Sequence, residues 1–199
     1  MTAIRIFLLT FVVVLAGAFG WIAYQWSSSN EALLEKPYGV AFDLVDQHGD
    51  SFTDKELHSQ PTALFFGFTH CPEICPTTLF ELDGWLKQVD PDGNEIQAYF
   101  VTVDPERDPP EILDNYVSNV SKRIIGVSGD PEKVRDMARG FKVYFKKVPT
   151  DEDNPDENYT MDHTASVFLL DRDGYFRGTI SFGEDGDTAV KKLQNLISG

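Results

Sequence analysis

Residues 62–68, TALFFGF, form an unbroken apolar run of strand length. A run without polar alternation fits a strand buried on both faces. Such a strand commits the chain to a layered α/β domain, with helices packed above and below one sheet. The run leads straight into GFTHCPEICPTTL (67–79), where Cys71 and Cys75 stand four apart, each followed by a proline. They are the chain's only cysteines, so the strand and the redox- or metal-capable residues belong to one local unit.

The rest of the chain extends the same pattern. GVAFDLVDQHGDSF alternates around His48-Gly49-Asp50 and reads as a hairpin. After the cysteines, Leu79, Leu82, Trp85, Leu86 and Val89 recur at helical spacing. IQAYFVTVD (96–104) is the next strand, PPEILDNYVSNV the next helix, RIIGVSG a short strand and DPEKVRDMARGF a helix with an Asp cap and Pro at its first position. YFKKV reads as an edge strand or hairpin arm, and TDEDNPDEN, with five acids in nine residues, as a solvated loop. Two strands joined at Asp171-Arg172-Asp173-Gly174 and a closing amphipathic helix complete the order. A strand, a cysteine turn and a helix, followed late by a hairpin and a helix, is the order of a thioredoxin-like domain: a mixed sheet covered by helices on both faces.

Cys71 falls just past the buried strand and Cys75 near the start of the following helix, where free amides and the helix dipole favour thiolate over thiol. His70 stands beside Cys71 and could support it in the same sense. A structural disulfide would close only a very small loop and staple little. Thioredoxin-type oxidoreductases use C-x-x-C and a proline before the facing strand. This chain has C-x-x-x-C, and NYTMDHTASVFLL (158–170) holds no proline but does hold His163. Two thiolates and an imidazole form a three-ligand soft site that suits copper, with zinc as competitor. Closed structural zinc needs a fourth ligand, and only Asp162 or a water is on offer. Met161 is either a further soft group or packing. Asp104 and Glu106, in VTVDPERD, follow a central strand and are expected on the same rim or in a capping turn. His48 and His58 read as solvated. A peroxidatic Thr-x-x-Cys context is absent, since Phe68 stands three before Cys71.

The formal charge of −15 and the lack of a basic stripe argue against a nucleic-acid partner. From Ile6 to Tyr24, IFLLTFVVVLAGAFGWIAY carries no charge, about the ~20 residues that a bilayer core requires. Arg5 precedes it, and Glu31 and Glu35 come before the next cation, Lys36. The expectation is a single-pass anchor over 1–26, with the N-terminus in the cytoplasm, a polar tether over 27–36 and the domain over 37–199 outside. A cleaved signal peptide with a site at Ala16-Gly17-Ala18 is the competing reading. In an exported setting the cysteine pair persists as a disulfide unless a partner reduces it.

GFTHCPEICPTTL, VTVDPERDPPE and MDHTASVFLLDRDG, in this order, resemble the Sco/SenC family of membrane-anchored copper chaperones. The resemblance implies a thioredoxin-like fold and binding of Cu(I) and Cu(II) by Cys71, Cys75 and His163. It also implies assembly of the CuA centre of cytochrome c oxidase, with the CuA-bearing subunit as acceptor and a periplasmic copper donor or thiol reductant as second partner. Asp104 falls where that family has an acidic residue implicated in function, and His70 and Asp162 flank the implied ligands. The place implied is a bacterial-type inner membrane, with the soluble domain on its periplasmic side. Such a carrier need not be an enzyme; thiol–disulfide exchange on an acceptor's cysteines is the other reading.

Overall fold

The computed structural model describes residues 2–34, 37–155 and 157–199. Its contacts separate Met1–Lys36 from Pro37–Gly199. In the first unit, helix α1 runs Thr2–Leu34. It continues through most of the stretch expected as a tether, because no proline interrupts it before Pro37 and Glu-Ala-Leu-Leu favours helix. Among the described residues, no helix is long and apolar enough to cross a membrane. The span expected from 6 to 24 includes Phe7, Leu8, Thr10 and Ala23, whose side chains lie outside the described set, as do Trp26 and the side chains of 27–36.

The second unit is built on a seven-stranded sheet in the order β2-β1-β5-β4-β3-β8-β9. Here β1 is Asp43–Asp46, β2 Ser51–Thr53, β3 Thr62–Gly67, β4 Gln97–Thr102, β5 Ile124–Ser128, β8 Ser166–Leu170 and β9 Phe176–Ser181. The central trio β3, β4 and β5 is parallel, and β8 lies antiparallel against β3. All six residues of β3 are buried, as a strand covered on both faces demands. Helices α2 (Ile74–Val89), α3 (Pro110–Ser118) and α4 (Pro131–Gly140) connect these strands, and α5 (Gly186–Ser198) closes the chain. Their buried residues keep helical spacing: Leu79, Leu82 and Leu86 on α2, Val134, Met137 and Ala138 on α4. Asp130 caps α4, accepting from the N–H groups of Glu132 and Lys133. This strand order with its helices is a mixed α/β, thioredoxin-like fold.

Two further strands form a ribbon of their own. β6 (Phe145–Pro149) pairs antiparallel with β7 (Tyr159–His163), and the acid-rich segment lies between them. His163 is the last residue of β7, held in register opposite Phe145. Three residues later the chain enters β8. Because β8 runs antiparallel to β3, its start sits by the end of β3, with Val167 opposite Phe65. The topology therefore delivers His163 to the edge where β3 ends and the cysteine turn begins.

Candidate metal centre

Beyond Gly67 the chain turns sharply, with the N–H of Cys71 donating to the Phe68 carbonyl at 3.3 Å. α2 starts three residues later. Its first-turn amides have no partner within the helix, and the N-cap, Glu73, makes no side-chain cap bond. The Cys71 sulfur fills that place: the N–H of Cys75 donates to it at 3.3 Å. Pro76, in the same turn, removes an N–H that would otherwise need a partner. Gly67 is required by close packing, since a Cβ there would lie 2.6 Å from the Phe100 ring and 2.8 Å from Cys75 Sγ.

The two thiols have opposite tendencies. Cys71 is held well below the usual thiol range, mainly because the Cys75 thiol donates to its sulfur; burial opposes this, and the Cys75 and Glu73 amides, and His163 when its ring carries a proton on Nε2, add to the lowering. Cys75 is pushed up because it donates to Cys71 and is fully buried. The shifts therefore favour a thiolate at Cys71 and a protonated thiol at Cys75. Both cysteines are free.

His163 completes the group. Its Nε2 lies 3.5 Å from Cys75 Sγ. Its Nδ1 is 3.1 Å from the Thr164 carbonyl, which can only accept. In the neutral ring the proton therefore sits on Nδ1, and the Nε2 lone pair faces the sulfurs. Phe65 and Phe68 meet the imidazole edge-on, with ring centres 6.2 Å and 5.8 Å away, and fix its plane. The ligand atoms of Cys71, Cys75 and His163 all lie within 4.8 Å of one another. Two soft sulfurs and one imidazole nitrogen, with no fourth protein ligand in the group, make an open site for a soft or borderline metal. A cavity of about 230 Å³ beside it is lined by Phe68, Cys71, Ile74, Met161 and His163.

The other candidates fall outside this trio. His70 is half exposed; its Nδ1 lies 3.1 Å from Thr69 Oγ1 and 3.8 Å from Asp108. Asp162 is exposed on β7 opposite Lys146. Asp104 is buried, accepts from Tyr159 Oη at 2.9 Å and from Arg107 Nε at 2.5 Å, and presents no face to a partner. Glu106 pairs with Lys147 at the surface. Met161 is buried and lines the cavity. Sequence reasoning passed over Asp108, which is fully buried near the cysteine turn. The available signal was its place four residues after Asp104, which follows a central strand.

A thioredoxin-like domain with a cysteine turn at the end of a buried strand, and an imidazole brought from the facing strand, defines a class of open-site metal-binding proteins. The sequence model of the SCO1/SenC family matches residues 30–198, and the chain belongs to that family. The resemblance seen in its motifs is thereby borne out. Bradyrhizobium japonicum ScoI, solved with copper bound, is 42% identical; it matches with a TM-score of 0.72 over 80% of this chain and 99% of its own. Yeast Sco1 with copper bound is 32% identical with a TM-score of 0.74, over 82% of this chain and 90% of its own. The mitochondrial protein SCO2 of Saccharomyces cerevisiae is 34% identical over 172 residues, 86% of this chain and 56% of the relative. The chain thus spans little more than half the length of that relative.

Proposed function

We propose that this chain carries copper on Cys71, Cys75 and His163 and delivers it to the CuA-bearing subunit of cytochrome c oxidase. One observation carries the reading: three soft-metal ligand atoms converge within 4.8 Å, with the imidazole lone pair turned toward the sulfurs. Family membership and the copper bound to similar solved structures support copper over zinc. Cu(I) favours the two sulfurs and Cu(II) gains from the imidazole, so the set suits both oxidation states. An acceptor's thiols can displace ligands at an open three-ligand site one at a time. The uncharged run after Arg5 supports a single-pass anchor, with the domain on the periplasmic side of the inner membrane.

Copper per chain, measured on the full-length protein before and after oxidation, tests the reading. The reduced protein should hold one copper. The Cys71–Cys75 disulfide should hold none, since thiolate lone pairs are then lost. Equal retention in both states refutes these ligands.

The lowered Cys71 thiolate favours a second reading, thiol–disulfide exchange with an acceptor's cysteines. Turnover with a dithiol substrate in metal-free protein would favour it over carriage.

A further inference from the structure

We propose that Asp108 is the positioning residue of this site, clamping the cysteine turn to the strand ends and, through Asp104 and Tyr159, to the strand that carries His163. The inference rests on the copper-carriage reading for its consequence, though not for its geometry.

Asp108 is fully buried, and among the described residues its ion-pair contact is the half-exposed His70 at 3.8 Å. A buried carboxylate without a close cation needs every lone pair met. Its Oδ2 accepts the Thr69 N–H at 2.9 Å and the Thr102 hydroxyl at 2.6 Å. Its Oδ1 accepts the Thr69 hydroxyl at 2.5 Å. The Thr102 oxygen is already taken by the Asp104 N–H at 2.9 Å, so the hydroxyl proton is directed to Asp108. The Asp108 backbone is fixed as well: its N–H donates to the Asp104 carbonyl at 3.0 Å, and its carbonyl accepts Ser128 Oγ at 2.7 Å. Thr69 follows β3, Thr102 ends β4 and Ser128 ends β5. One residue therefore ties together the ends of all three parallel strands, on the edge where Cys71 sits.

This arrangement is not helix capping, because α3 has Pro109 as its N-cap and no side-chain cap bond. Thr69 is a central residue of the turn closed by the Cys71 N–H, so holding Thr69 holds Cys71. The same chain of bonds runs on to the other half of the site. Asp104 accepts Tyr159 Oη at 2.9 Å, and Arg107 bridges Asp104 Oδ2 and the Tyr159 carbonyl at 2.5 and 2.9 Å. Tyr159 opens β7 and His163 ends it. The sulfurs and the imidazole come from segments 88 residues apart, and this network spans the gap.

Asp108→Asn and Asp108→Ala in the full-length protein separate position from charge. Asn keeps an acceptor for the Thr69 N–H and Thr102 hydroxyl, and its amide can donate to Thr69 Oγ1; Ala removes all three bonds. In metal-free protein, amide exchange of the 67–79 segment should rise about tenfold or more in Ala and little in Asn. Copper affinity should fall about 10–100-fold in Ala, the range for lost ligand-supporting contacts, and stay within a few-fold in Asn. Unchanged exchange in Ala overturns the clamp. An equal affinity loss in Asn and Ala overturns positioning in favour of charge. If Ala does not fold, Thr69→Val removes the hydroxyl while keeping the N–H, and exchange as slow as in the parent overturns the proposal. Absence of copper from the parent refutes the carriage reading alone, since the exchange measurement needs no metal.

Discussion

The Cys71 sulfur accepts the backbone N–H of Cys75 at 3.3 Å, so the first cysteine caps the helix whose first turn holds the second. The donors around Cys71 favour its thiolate, and donation to Cys71 favours the protonated thiol at Cys75. The asymmetry exists before any metal arrives.

Reactivity of Cys71 should depend on pH in the manner of a depressed thiol. The thiolate is the nucleophile, and the folded value lies below the ordinary one. Its reactivity is therefore fully present at neutral pH and lost only as pH falls through the lowered value. Iodoacetamide labelling of metal-free protein, mapped by mass spectrometry, should modify Cys71 at nearly constant rate from pH 8 to 6. An ordinary thiol, with a pKa of about 8.5, slows about tenfold per unit over that range. A tenfold fall per unit at Cys71 would count against the thiolate.

His163→Ala should cost copper affinity at least about tenfold, more for Cu(II) than for Cu(I), because imidazole is the ligand Cu(II) prefers. The two cysteines should still interconvert between dithiol and disulfide. Titration of each oxidation state against a competing chelator reads this directly. Equal affinity in variant and parent for both states would remove His163 from the site.

Gly67→Ala should destabilise the domain by about 1–3 kcal/mol, since the added methyl meets the Phe100 ring and the Cys75 sulfur inside a packed strand. Thermal melting should fall by several degrees. The substitution should also weaken copper binding by displacing Cys75. A melting point equal to the parent's would show that the strand yields more than close packing permits.

The anchor is checked by fractionation. The full-length chain should sediment with membranes and resist carbonate extraction, while a mature soluble form beginning near Phe19 would establish the signal peptide instead.

The cysteine turn was legible because two strong local signals coincide there, an apolar run long enough for a buried strand and a helical period beginning just after Cys75. His163 was legible through its position before a second apolar run. Its strand was not. β7 is only five residues long and alternates over just Tyr159 and Met161, and its partner β6, read as an edge strand, is mostly exposed, so the sequence offers too short a signal to mark β7 as a strand. Asp108 was missed for a different reason. A carboxylate in DPERD reads as surface by residue type, and its burial follows from hydroxyl partners at Thr69 and Thr102 that are near only once three strands are aligned.

The separation of 88 residues between Cys75 and His163 also sets an order in time. At about 5–20 residues per second, synthesis leaves the two sulfurs without their nitrogen for roughly 4 to 18 s. A nascent chain thus offers a passing metal only a dithiol, and the full grip appears when the late ribbon seats against the end of β3. On the copper-carriage reading, tight retention is in this way a property of the finished molecule, and an unfinished or unfolded copy competes poorly for the same ion.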